Sequence, residues 1–376
     1  MPQLATALVH DYLLVMRGAE RTFGVMADCW PEAPIYTLLY DPEGTEGTFA
    51  DRRVETSYLQ HLRVRQSGFR RLLPLFPSAV RSLDVADYDL VISSSSAFAH
   101  GVRTRPDATH VCYCHTPFRY AWFERDRVAA QLARPLHPLV HTVLYRMRAW
   151  DRHASQAVTH YVTNSELSRK RIQDSYGRDS TVVHPPVEVD RFSIGAPEDF
   201  FLVVTELVPH KRVTQALEAG RRAGVPMKVV GGGPDLKRLE REYGSTATFL
   251  GRASDAQLAD LYRRARALVV PNIEEFGIAA VEAQASGRPV LAADAGGARE
   301  TVTPGETGVR VPADDIDAMA EAMREVDWEG FDPQKIREHS LGFSRETFTR
   351  RFTEEVARIT GKPDRPKHLP VADIGI

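Results

Sequence analysis

Short apolar runs alternate with amphipathic stretches through the second half of the chain. FFLVVTEL is followed by HKRVTQALEAGRRAG, VPMKVVGGG by PDLKRLEREYG, ATFLG by SDAQLADLYRRA, and RALVVPN by GIAAVEAQASG. The runs have the length and branched composition of buried strands, and the stretches between them repeat apolar residues at helical spacing. RPVLAAD, GARETV, GVRV and IDAMAEAMREV continue the series as strand, short helix, strand and helix. Such alternation predicts a parallel sheet covered by helices on both faces. The first half repeats the theme less regularly. Residues 4–9, APIYTLLYD, YDLVISSS, THVCYC and THYVTNS read as strands, with helices over 18–27 and 139–154. Between the halves, HPPVEVDRFSIGAPEDF is rich in proline and acid and lacks helical periodicity, which marks a linker. The expectation is an α/β protein of two doubly wound, Rossmann-like domains facing across a cleft, residues 1–190 and 196–343.

Composition supports two cores: the chain has 376 residues, 43% of them hydrophobic. A formal charge of -2 gives no reason to expect a nucleic-acid partner. The three cysteines, Cys29, Cys112 and Cys114, make no disulfide framework and suggest a reducing compartment. Cys112 and Cys114 share one face of a predicted strand but lack a second ligand pair, so packing is favoured over zinc. The start of the chain lacks the pattern of a signal peptide, and no apolar run approaches the ~20 residues that span a bilayer. A cytoplasmic protein is expected, with room for peripheral attachment to the inner face of the cell membrane.

In open α/β sheets ligands bind outside the carboxyl ends of the strands, so chemistry is sought in the βα turns. PNIEEFGIAAVEAQASGRPV places Glu274, Glu275 and Glu282 in a segment that is otherwise core. Gly277 lets a ligand approach the backbone, and the amides of Gly277, Ile278 and Ala279 would form an anion site at a helix start. Carboxylates beside such a site suit hydroxyl groups, so phosphate flanked by polyols, a sugar nucleotide, fits the stretch. The plain alternative is that acids complement the helix dipole, which covers Glu274 and Glu275 but not Glu282 among its alanines. VTELVPHKRVTQ opens its predicted helix with Lys211 and Arg212, where cations are unfavourable unless an anion is present. Lysines number only seven, against 41 arginines, and none precedes Lys170, which points Lys211 at a phosphate. VVGGGPDLKRL bares the backbone at Gly231, Gly232 and Gly233 for phosphate or base, or simply turns tightly. Gly296 and Gly297 are further candidate neighbours of phosphate or sugar. In the first half, His115 follows a strand in VCYCHTPFRYAW and is a candidate site histidine, although a lone histidine is more often structural. HDYLLVMRGAERTF is the first βα turn, with Gly18 at a helix start.

EEFGIAAVEAQASGRPVLAADAGGARETV resembles the E-x7-E region of retaining GT-B glycosyltransferases of family 4. TELVPHKR, VVGGGPDL, FLGRASDAQL and the final FSRETFTRRF helix fall in the family order. DLVISSSSAFAHGV, VCYCHTPFRYAW and HPPVEVDRF are further similar to a bacterial polysaccharide mannosyltransferase branch. The resemblance implies a GT-B fold whose last helix, about 344–360, crosses back to an acceptor-binding first domain. It implies that Glu274 holds donor-sugar hydroxyls, that Phe276, Gly277 and Ile278 offer amides to sugar and diphosphate, and that Glu282 binds ribose. Lys211 would neutralise the diphosphate with Arg212 beside it, His115 would contact the donor sugar, and Gly232, Gly251 and Arg252 would lie by the base. Asp11, Arg17 and Gly18 would face the acceptor. GDP-mannose is the favoured donor, a glycan or lipid-linked hydroxyl the acceptor, and no metal or other cofactor is expected, since cations and helix ends would take its place. Two departures stand out: Glu206 replaces a usual arginine, and Arg17-Gly18 replaces a usual Gly-Gly.

HLRVRQSGFRRLLPLFPSAVRSL, residues 61–83, carries five arginines, several large apolar side chains and no acid. It reads equally as a contact for an anionic leaflet or as a basic helix folded onto its own domain. A sugar-nucleotide epimerase and a non-catalytic sugar-nucleotide sensor are the competing functions.

Overall fold

The computed structural model describes residues 4–62, 69–130 and 133–361, excepting the side chains of 69–71. Residues 63–68, within the basic stretch, and 362–376 of the tail lie outside the described residues. The chain divides into two compact units, Pro185–Phe348 and the remainder on either side of it.

The first unit is built from β1 (Thr6–His10), α1 (Gly18–Cys29), β2 (Ile35–Thr37), β3 (Val54–Thr56), α2 (Phe76–Arg81), β4 (Leu90–Ser95) and β5 (Thr109–Cys114). Helices α3 (Arg119–Trp122), α4 (Arg125–Ala130) and α5 (His137–Ala154) follow, then β6 (His160–Thr163), α6 (Glu166–Tyr176) and β7 (Ser180–Val182). Its sheet runs β3-β2-β1-β4-β5-β6-β7 and every pairing is parallel. The central strands are buried on both faces, which is why Ala7, Leu8 and Val9, or Leu90, Val91 and Ile92, run apolar without alternation. APIYTLLYD contributes only Ile35–Thr37 as strand; Leu38 and Leu39 leave the ladder and enter the core. Strands β3 and β7 have three residues each, too few to leave a periodic signal.

The second unit alternates β8 (Phe201–Val204), α7 (Val213–Ala223), β9 (Met227–Val230), α8 (Leu236–Tyr243), β10 (Ala247–Phe249), α9 (Asp255–Arg264) and β11 (Ala267–Val270). It continues with α10 (Ile278–Ala285), β12 (Val290–Ala293), α11 (Ala298–Thr301), β13 (Gly308–Val311), α12 (Ile316–Glu325) and α13 (Pro333–Leu341). Its parallel sheet has the order β10-β9-β8-β11-β12-β13. The segment read as a linker is not a solvated tether: Val187, Val189 and Phe192 pack into this unit's core beside Leu202 and Tyr262.

Helix α14 (Arg345–Thr360) starts in the second unit and ends in the first. In the first unit Phe352 meets Trp30 and Tyr113 edge-on at 5.9 and 5.8 Å. Glu355 accepts a 2.6 Å hydrogen bond from Thr181 Oγ1 and pairs with Arg358, and these donors hold its carboxyl down at about 2. Apolar and ionic contacts therefore fix the last helical turns in the first unit.

Of the basic stretch, Phe76, Val80 and Leu83 face inward, whereas Leu62 and Leu75 are exposed. The described part is thus largely folded onto its own unit.

Candidate active site

In the second sheet, the order reverses between β8 and β11, so the turns leaving these two strands flank the position where open α/β sheets bind ligands. Lys211 comes from the first turn and Glu274 from the second. Their side chains meet: Lys211 Nζ lies 2.5 Å from Glu274 Oε1, and the buried Asn272 donates to the same oxygen at 2.9 Å. Both charged side chains keep about a quarter of their surface exposed, 24% and 22%, so solvent or ligand reaches them. Glu274 Oε2 points toward the start of α10, 3.6 Å from where a Cβ on Gly277 would stand. Gly277 itself adopts φ 93°, a left-handed conformation natural to glycine, and ends the approach to α10.

The sequence places Lys211 and Arg212 inside a helix, and the structure does not. Residues Pro209–Lys211 form a 3₁₀ turn and α7 begins only at Val213, after Arg212 at φ 52°. Keeping both cations ahead of the first helical turn relieves the conflict with the dipole. The backbone reversal also separates the pair. Arg212 reaches Asp314 at 3.1 Å, while Lys211 reaches Glu274.

Glu282, on α10, accepts 2.9 Å from the hydroxyl of the fully buried Tyr262. Burial and the Glu282 carboxylate push that phenol well above its ordinary range. A mid-helix glutamate among alanines is held by a tyrosine that sequence spacing did not reveal. Phe276 packs edge-on against Phe343 at 5.5 Å and is 4% exposed, so its ring is structural and only its backbone can serve a ligand.

The glycine turns explain themselves by close packing. A Cβ on Gly296 would lie 2.3 Å from Glu274 O and one on Gly297 2.1 Å from Phe276 O, and Gly297 N–H donates to Glu274 O at 2.9 Å. This pair buttresses the glutamate loop. Gly231 N–H donates to Gly251 O at 2.7 Å, and Gly232 lies against Arg252, whose side chain is exposed. Turns after β9 and β10 are thereby joined, and Gly232, Gly251 and Arg252 gather in one place. Glu206 is exposed in the turn after β8.

The first sheet also reverses, between β1 and β4. Three consecutive serines ending β4 each meet a histidine: Ser93 with His110 at 2.8 Å, Ser94 with His115 at 2.9 Å and Ser95 with His100 at 3.3 Å. Alternation along the strand sends Ser94 to the opposite face from Ser93 and Ser95. His115 is half-buried, held by Ser94 through Nε2 and by Ser168, which donates to its carbonyl at 2.9 Å. His10 stacks on Phe23, and burial together with the neighbouring His115 lowers its imidazole to about 3. The run SSSS was the available signal for this layer, and the sequence reading used it only as family resemblance.

Asp11, expected on the acceptor side, binds backbone. Its carboxylate accepts from the amides of Ser96, Phe98 and Ala99 at 2.6, 2.8 and 2.6 Å and is 2% exposed. Arg17 stands at the N-cap of α1, where its amide donates to Glu20 at 3.2 Å, and Gly18 opens the helix. Burial lifts the Glu20 carboxyl to about 7. Among the described residues, no group of three or more His, Cys, Asp or Glu is placed to hold a metal ion. No described helix is long and apolar enough to cross a membrane.

Two adjoining family profiles match this chain: Glycosyltransferase Family 4 over residues 16–191 and Glycosyl transferases group 1 over residues 187–338. The chain belongs to the family 4 glycosyltransferases. D-inositol 3-phosphate glycosyltransferase of Mycolicibacterium smegmatis is 30% identical over 276 residues, 61% of this family 4 chain and 63% of the relative. The enzyme of the same name from Mycobacterium tuberculosis is 30% identical over 282 residues, 63% and 58% of the two chains. This chain therefore spans about three fifths of the length of these curated relatives. Among solved structures, sucrose-phosphate synthase from Thermosynechococcus elongatus superposes with a TM-score of 0.70 at 18% identity, covering 96% and 100% of the two chains. HepE from Anabaena, in complex with UDP and glucose, gives 0.68 at 16% identity, covering 94% and 100%. The family 4 chain has the GT-B class of fold, two parallel α/β sheets of seven and six strands.

Proposed function

We propose that this family 4 chain is a retaining glycosyltransferase that moves a hexose, in first choice mannose from GDP-mannose, to a hydroxyl of a glycan or lipid-linked acceptor. The observation that carries the reading is the Lys211–Glu274–Asn272 cluster at the reversal of the second sheet, next to the start of α10. One cation and one helix end suit a diphosphate, and a carboxylate between them suits sugar hydroxyls. Donor binding would redistribute the Lys211–Glu274 pair, lysine to phosphate and glutamate to hydroxyl. Glu282, braced by Tyr262, is the proposed ribose partner, and Arg252 with Gly232 and Gly251 the proposed base neighbours.

In the proposed reaction the bond between the anomeric carbon and the phosphate oxygen breaks and a bond to the acceptor oxygen forms on the same face. The acceptor's proton passes to the leaving phosphate. Catalysis would then be positional and electrostatic, with Lys211 and the α10 amides stabilising the departing charge. His115, held by Ser94, is the proposed sugar contact of the first unit. Asp11 acts there through the backbone rather than on substrate.

A UDP-sugar donor is the second reading, because HepE was solved with UDP and glucose. A sugar alcohol phosphate joins the acceptors to be tried, because the curated relatives are named for D-inositol 3-phosphate. Peripheral attachment to an anionic membrane is proposed from the exposed Leu62 and Leu75 beside Arg81. Incubation with GDP-mannose, then with UDP-sugars, reads nucleotide release with and without acceptor. Acceptor-dependent release is expected; a sugar nucleotide recovered as its epimer, or bound and unchanged with every acceptor, overturns the transferase reading.

A further inference from the structure

A continuous line of buried polar side chains crosses the first unit, and its centre is Asp151 of α5. Asp151 is fully buried, and its two oxygens go to different loops. Oδ2 accepts from Trp122 Nε1 at 2.6 Å, and Trp122 closes α3, seven residues after His115. Oδ1 lies 3.2 Å from His100 Nε2, in the 3₁₀ turn Ala99–Gly101 that follows β4. The other nitrogen of His100 faces Ser95 Oγ at 3.3 Å, and Ser95 Oγ is 3.4 Å from Asp11 Oδ1. Asp11 then gathers the amides of Ser96, Phe98 and Ala99. One carboxylate thereby fastens the turn after β4 and the segment after β5, both at the carboxyl edge of the first sheet.

Stability alone does not account for this line. Apolar residues of the same volume are commonly as stable as a buried ionic network, whereas a satisfied polar network fixes one geometry. Its members also converge on the edge where ligands bind rather than on the middle of the core. We propose that Asp151 and His100 are positioning residues: they set the 96–99 turn and the His115 segment in the arrangement that glycosyl transfer requires. Asp151 Oδ1 and His100 Nε2 stand in contact at 3.2 Å without the geometry of a hydrogen bond, while Ser95 Oγ donates its one proton to Asp11. The activity part of this inference rests on the transferase reading above; the geometric part does not.

Asp151→Asn gives a directed test. Trp122 can only donate, so the asparagine oxygen must stay on Trp122 and its NH₂ must face His100 Nε2. The substitution replaces the carboxylate beside His100 by a neutral donor. In full-length protein, the side-chain ¹⁵N signals of His100 are expected to move, because the charge beside Nε2 is gone. Amide exchange of Ser96, Phe98 and Ala99 should quicken by about tenfold, the scale of one lost hydrogen bond to a charged group. Turnover should fall by about tenfold in kcat/KM for the sugar nucleotide, while affinity for nucleoside diphosphate alone stays within about twofold, since Lys211 and the start of α10 in the second unit are untouched. Ser95→Ala, a smaller change that spares Asp151, should quicken the same amides. Unchanged exchange in both variants, or exchange quickened evenly through the whole first unit, overturns the positioning role. Should wild-type protein release no nucleotide from any sugar nucleotide with any acceptor, the transferase reading fails, while amide exchange still decides the geometry.

Discussion

The carboxyl edges of the two sheets handle polar chemistry in opposite ways. In the first unit serines, histidines and Asp11 meet one another and the backbone, and most are buried to within a few percent of their surface. In the second unit glycines strip the turns bare, and the charges that remain, Lys211 and Glu274, sit partly in solvent. The first edge is a scaffold in which buried polar groups hold one another and the backbone in place. The second edge holds a lysine and a carboxylate in an ion pair that a diphosphate and a hydroxyl would each compete for. Changes at Asp11 should therefore act on folding, changes at Lys211 and Glu274 on ligand and rate, and changes at Asp151 on turnover through the position of the loops.

The sharpest way to break this contrast is Glu274→Gln. Turnover should fall by a factor on the order of 10² to 10³, the scale for loss of one preorganised electrostatic contact, with nucleoside diphosphate affinity nearly unchanged. Steady-state rates and calorimetric titration check both halves. Asp11→Ala comes next: three buried amides lose their acceptor, and about 2–4 kcal/mol of stability should vanish from the first unit. Unit-resolved hydrogen exchange should show the second unit unaffected; equal loss in both would dissolve the distinction. Lys211→Ala should weaken nucleoside diphosphate binding by about tenfold to a hundredfold while moving the melting temperature little, because its ion pair is partly exposed.

The smallest effect is pH-dependent. The Glu20 carboxyl is raised to about 7 by burial, above its ordinary 4.5, so the folded state binds its proton more tightly than the unfolded state. Its contribution is complete below about pH 4.5 and is lost as pH rises through 7. Glu20→Gln, which keeps an acceptor for the Arg17 amide, should be more stable than wild type by about 3 kcal/mol at pH 8 and converge with it near pH 4. Paired melting curves at the two pH values check the sign.

Legibility in the sequence followed the range of the interactions. The series of second-unit strands and helices was readable because a buried strand or an amphipathic helix shows its own periodicity within a few residues. Three-residue strands such as Val54–Thr56 carry too short a pattern, and their pairing is supplied by the neighbouring strand. Glu274 and Glu282 stood out as charge in an apolar context. Their partners, Asn272 with Lys211 for one and Tyr262 for the other, were beyond reach, since 63 residues separate Lys211 from Glu274 and 20 separate Tyr262 from Glu282. Arg212 was misread because a single left-handed residue turns the chain, and neither composition nor spacing announces it.

By itself, the sequence determined the fold class, the order of strands and helices and the identity of the charged turns, because these depend on local periodicity and on residue type. Only the tertiary structure decided which charges meet, that Asp11 serves the backbone, that Gly296 and Gly297 buttress the glutamate loop, and that one buried Asp151 joins two loops. Those outcomes depend on distances between segments far apart in the chain, which are fixed only when the sheets and helices pack.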